Sequence, residues 1–66
     1  MKQTTLQALL RAYAQLEQTA DELYVAADAA IENDDFDDAS LLASRADKIY
    51  QEVENLDVLL SELEEQ

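Results

Sequence analysis

The chain has 66 residues, 16 of them Asp or Glu and only 4 Lys or Arg, for a formal net charge of −12, and it contains no His, Cys, Gly or Pro. That composition excludes disulfides, thiolate metal sites and Cys nucleophiles, the imidazole base of neutral-pH catalysis and the glycine loops that cradle phosphates. It also excludes direct nucleic-acid binding, which depends on clustered Lys and Arg to neutralise phosphates.

The length allows one domain, residues 1–66. A chain this short removes only about 60 % of its unfolded surface on folding, so a lone monomer is marginal. A hydrophobic share of 48 % is too high for a disordered acidic tail. No stretch approaches the roughly 18 to 20 consecutive apolar residues of a membrane span. The N-terminus, one Lys followed by polar residues, does not read as a secretory signal. The expectation is a soluble cytoplasmic protein without membrane contact.

In the first half, apolar residues recur at Leu6, Leu9, Tyr13, Leu16, Ala20, Leu23, Ala27 and Ala30, with spacings alternating three and four. This is an a/d heptad seam, one apolar stripe along a helix. It predicts a first helix over about 4–32, with Thr4 and Gln7 placed as a capping box. Continuing that phase would need apolar residues at 34 and 37, where the chain has Asp34 and Asp37. Asn and Asp weaken helices because their short side chains compete for nearby backbone groups. The segment from Asn33 to Asp35 is therefore the expected turn. Asp34 or Asp35 would cap the second helix, and Asp37 and Asp38 would sit in its first turn, where negative charge suits the helix dipole. A second seam, Ala39, Leu42, Ala46, Ile49, Val53, Leu56, Leu60 and Leu63, predicts a helix over about 36–65.

Folding back at the aspartates gives an all-α, coiled-coil-like antiparallel two-helix hairpin. Its layers are Leu6–Leu63, Leu9–Leu60, Tyr13–Leu56, Leu16–Val53, Ala20–Ile49, Leu23–Ala46, Ala27–Leu42 and Ala30–Ala39. In three successive layers an Ala faces a large aliphatic residue, as close packing favours. The rival architecture is one continuous helix of about 90 Å with a phase slip.

One seam does not use all the apolar residues. Leu10, Tyr24 and Ile31 hold e positions of the first helix, and Ala43 and Tyr50 those of the second; Val25, Leu41, Val58 and Leu59 lie farther round. Apolar residues at a, d and e describe a helix packed on two neighbours. The expected solution is a homodimer forming a four-helix bundle, with Leu10, Tyr24, Ile31, Ala43, Tyr50 and Leu59 as the self or partner interface. Phe36 is expected to cover the end of the core beneath the turn.

The runs Ala20-Asp21-Glu22-Leu23-Tyr24 and Ala46-Asp47-Lys48-Ile49-Tyr50, with Ala39 and Leu42, resemble the Rop family of plasmid regulators. The resemblance implies a short hairpin dimerising around Ala and Leu layers. That family contacts paired RNA loops through polar and basic residues of its first helix. Here that helix offers Lys2 and Arg11 against Glu17, Asp21, Glu22, Asp28 and Glu32, so the shape is carried over without the RNA-binding activity.

No catalytic, cofactor or metal site is expected. The cluster Asp34, Asp35, Asp37, Asp38 lacks the Gly and the spacing of a calcium loop. Glu17, Asp57 and Glu64, acids at e positions, read as rim charges. Ser44 and Lys48 stand one helical turn apart, but an exposed Lys stays protonated and serves as no base. The acidic face of Asp21, Glu22, Asp28, Asp47, Glu54 and Asp57 is the most distinctive feature. It confers solubility or salt tolerance, or it imitates nucleic-acid phosphates and occupies a basic groove.

Three functions fit. One is a small regulator or inhibitor of phage or plasmid type, like some anti-restriction and anti-CRISPR proteins, that binds a basic nucleic-acid-handling protein. A second is a secretion or flagellar chaperone or adaptor: Ala29 to Ala46 resembles hairpins of flagellar-export chaperones and tetratricopeptide-like repeats, which cradle a partner helix. The third is a structural dimerisation module.

Overall fold

A computed structural model describes residues 2–64. With no Gly or Pro to interrupt them, the two heptad tracts form two long helices, α1 (Gln3–Glu32) and α2 (Phe36–Glu64). No strand occurs among the described residues. A 30-residue helix is about 45 Å long, and the molecule measures 49 × 16 × 11 Å. The helices therefore lie side by side, antiparallel, and the continuous-rod alternative does not form. The hairpin is one helix thick.

The turn has an identifiable mechanism. Asn33 ends α1, and Asp34 takes the left-handed region with φ 60°. The Asp35 N–H donates to the Ala30 carbonyl at 2.8 Å and the Asp34 N–H to the Ile31 carbonyl at 3.0 Å. This crossed pair of bonds is a Schellman cap, which satisfies carbonyls left open at a helix end. Glycine is its usual left-handed residue; Asp tolerates the position because its short polar side chain bonds locally. The Asp35 carbonyl then accepts from the Ala39 N–H at 3.0 Å and opens α2. Of the two candidate caps, Asp35 takes the N-cap place and Asp34 makes the reversal. Asp37 and Asp38 stand in the first turn of α2. Asp34→Gly is expected to stabilise the hairpin by about 0.5–1 kcal/mol, because relief of the left-handed penalty exceeds the entropy glycine adds to the unfolded chain. Urea unfolding would check this; a variant no more stable than the parent would show that Asp34 is unstrained.

Two local expectations need correction. Thr4 and Gln7 do not form a capping box: α1 starts at Gln3, and its N-cap is Lys2, with no side-chain cap bond. The Lys2 carbonyl accepts from the Thr5 and Leu6 N–H groups at 3.1 and 3.2 Å, so the helix starts earlier than the capping pattern places it. Phe36 does not cover the core. It is 62 % exposed and lines a shallow acidic cavity of about 270 Å³ with Asp34, Asp35, Asp37 and Asp38. Ala30 and Ala39 are already buried beneath the turn without it. Glu65, at the expected end of the second helix, lies outside the described residues.

The core is the predicted seam. Every buried residue belongs to it: Ala20, Ala27, Ala30, Ala39, Ala46, Val53 and Leu60. The other seam residues are half-buried. Ala20 and Ala46 are 0 % exposed, because in their layers a methyl group faces Ile49 or Leu23 and the helices approach closely. No large side chain is fully enclosed, and no polar or charged residue is buried, among the described residues.

Candidate protein-binding face

An antiparallel heptad pair has two broad faces. One carries the a and e positions of both helices, the other the d and g positions. The structure makes these faces unlike. On the first, Tyr24 donates a hydrogen bond from its hydroxyl to the Asp47 carboxylate of the other helix. That bond is the first cause raising the Tyr24 hydroxyl above its ordinary pKa of 10.0, followed by partial burial and by the charges of Asp47, Tyr50 and Asp21. For Tyr13, whose hydroxyl is also raised, partial burial is the first cause, followed by the charges of Asp57, Glu17 and Tyr50. These influences gather Tyr13, Tyr24 and Tyr50 with Glu17, Asp21, Asp47 and Asp57 on one surface.

Helical geometry adds Asp28, Glu54 and Glu64, at b and e positions, to the same side. All seven acids are exposed, and none of the four basic residues shares the face. Of the residues expected at an interface, Leu10, Tyr24, Ile31, Ala43 and Tyr50 lie here; Leu59, at a g position, lies on the opposite face. Of the expected acidic face, Asp21, Asp28, Asp47, Glu54 and Asp57 lie here, while Glu22 falls on the other side, where it accepts from Gln18 Nε2 at 3.3 Å. The structure thus merges two candidate sites into one tyrosine–carboxylate face.

Sequence reasoning placed Tyr13 in a core layer with its hydroxyl reaching the rim, but missed the carboxylates gathered around it. It is half-buried and lies among carboxylates. The signal was present: an a residue adjoins e residues of both helices, and two of those, Glu17 and Asp57, are acids.

The opposite face is open for a steric reason. Its α1 flank is Thr5, Ala12, Thr19 and Ala26, side chains too short to cover the d rows. Leu9, Leu16 and Leu23 of α1 and Leu42, Ile49, Leu56 and Leu63 of α2 are therefore half-exposed, whereas the a row of α2 (Ala39, Ala46, Val53, Leu60) is buried throughout.

No group of three or more acids among the described residues is placed to hold a metal ion. No described helix is long and apolar enough to cross a membrane.

The tyrosines give the fold an alkaline limit. The unfolded chain releases tyrosine protons near pH 10, while the folded chain holds those of Tyr24 and Tyr13 to higher pH. Protons are then fewer on the unfolded chain, so this contribution is complete below pH 10 and lost as pH rises through the raised values. Thermal melts across that range should show the fall, and Tyr24→Phe should reduce it; equal pH slopes for parent and variant would remove Tyr24 as its source.

Comparison with protein-family models, with curated proteins and with solved structures finds no match for this chain.

Proposed function

We propose that this protein is a small acidic regulator that acts by binding another protein, occupying a basic site on a cytoplasmic nucleic-acid-handling partner. The supporting observation is the convergence of three tyrosines and seven exposed acids, without a cation, on one face of a stiff hairpin. Tyrosines supply large amphipathic contacts and accept Arg or Lys against their rings. The carboxylates steer a basic partner into contact and oppose acidic ones.

A magnitude refines the reading. Seven charges over about 45 Å of helix is one per roughly 6 Å, against one per about 1.7 Å for duplex DNA. Charge alone would lose to nucleic acid in direct competition, so the tyrosine contacts have to supply much of the affinity. From the Rop likeness this reading keeps the hairpin and leaves the RNA contact aside.

Affinity capture with mass-spectrometric identification tests it, using as baits the parent chain and a variant carrying Asp21→Asn, Asp47→Asn and Asp57→Asn. The parent should retain a basic nucleic-acid-handling protein and release it in salt, and the variant should retain far less. A partner held equally by both baits, or held through high salt, would overturn the proposal.

An adaptor that cradles a partner helix draws on a different observation, the half-exposed leucine rows of the opposite face. It requires those rows to stay free in the pure protein and to take up an apolar dye.

A further inference from the structure

We infer that a second copy of this chain covers the leucine face, so that two hairpins form a four-helix unit with their tyrosine–carboxylate faces turned outward. Stable domains place at least two layers of secondary structure around a core. This hairpin, 11 Å in its thinnest dimension, is a single layer. A compact globule of 7.4 kDa exposes about 4,200 Å², and the hairpin exposes 5088 Å². The excess of roughly 900 Å² matches the ~800 Å² that each partner contributes to a standard stable interface.

Charge selects which face the copy covers. A two-fold interface sets a surface against itself. On the tyrosine face that would oppose seven carboxylates to seven with no cation between them. The leucine face carries both signs: Arg45 and Lys48 of α2 flank it, with Glu22, Asp38, Glu52 and Glu62 on the same side. A two-fold copy can set cations against acids there.

Shape agrees. Leu9, Leu16, Leu23, Leu42, Ile49 and Leu56 form a half-exposed row beside a flank of short side chains, which admits another helix closely. Within that flank Thr19 donates its hydroxyl back to the Gln15 carbonyl at 2.9 Å, so docking leaves that proton paired. This assignment moves the self-interface from Tyr24 and Tyr50 to the other side of the hairpin and leaves the tyrosines accessible.

Analytical ultracentrifugation of the full chain tests it directly. At micromolar concentration the mass should be about twice 7.4 kDa. Ala12→Glu with Ala26→Glu keeps helix propensity and puts charge into the leucine face; it should weaken self-association about tenfold or more. Leu10→Glu adds a charge on the tyrosine face and should leave association within about twofold. Loss of helicity in the double variant would shift the test to thiol labelling, for which this Cys-free chain is suited. Ala12→Cys should react more slowly as concentration rises, and Ala14→Cys, on the tyrosine side, at a constant rate. A parent chain that stays monomeric and binds an apolar dye would overturn the proposal and favour the adaptor. A dimer broken by Leu10→Glu but not by the double variant would also overturn it. Self-association should strengthen with salt while capture of a basic partner weakens, so either idea can fail without the other.

Discussion

Ala46→Glu is expected to remove about 3 kcal/mol or more of stability, while Ser44→Glu, two residues away on the same helix, stays within about 0.5 kcal/mol of the parent. Both substitutions add one negative charge, and Glu is nearly as good a helix former as Ala. The difference therefore isolates burial. Ala46 is 0 % exposed and faces Leu23 across the seam, whereas Ser44 is exposed. A carboxylate at 46 must lose its water with no cation beside it, or push the helices apart and open the small layers near the turn. Total stability for a chain of this size is about 3–10 kcal/mol, so the loss approaches the whole. Urea unfolding of the three chains, followed by circular dichroism, measures it; equal midpoints for Ala46→Glu and Ser44→Glu would show that the seam is not closed at that layer.

The hairpin was legible because two independent signals coincide. The phase break between Ala30 and Ala39 and the only helix-weakening cluster fall at the same place, and the layers then match Ala against large residues. What was not legible lies where backbone geometry overrides side-chain preference. The Thr4 and Gln7 pattern is a good cap, yet the backbone continues helically to Gln3 because nothing there opposes it. Asp34 reads as an ordinary capping candidate, and only its φ of 60° shows that it makes the reversal. Phe36 reads as a plug because aromatic residues favour burial, but Ala30 and Ala39 are already buried beneath the turn and the ring stays exposed.

The candidate site was legible residue by residue but not as an arrangement. Tyr24 and Tyr50 drew notice as excess apolar residues, and Asp21, Asp47 and Asp57 as acids. A heptad assignment made one helix at a time does not say which e residue meets which acid across the pair. The Tyr24–Asp47 bond joins an e position to a b position of the other helix, and it is this crossing that makes one site of two. The openness of the leucine face was hidden in the same way: Ala12, Thr19 and Ala26 are unremarkable in sequence and matter only as side chains too short to cover their neighbours.

The same division of charge predicts that added salt stabilises the fold, with a melting temperature that rises by about 5–15 °C between about 0.01 and 0.15 M NaCl. Two carboxylates about 10 Å apart repel by about 0.4 kcal/mol through water, and seven on one face form many such pairs. The unfolded chain keeps part of that repulsion, which reduces the net gain from screening to about 1–2 kcal/mol. Asp21→Asn with Asp47→Asn and Asp57→Asn should raise the melting temperature in low salt and flatten the response, because these charges stand closest to the tyrosines. Neutralising Glu52, on the leucine side that also carries Arg45 and Lys48, should leave the slope nearly unchanged. Repeating the melts at two protein concentrations separates folding from association: screening within one hairpin gives the same rise at both, and the part owed to a second copy grows with concentration. A melting temperature that falls over this range would mean that the −12 charge does not strain the folded chain, and the tyrosine–carboxylate face would then lack the field assigned to it.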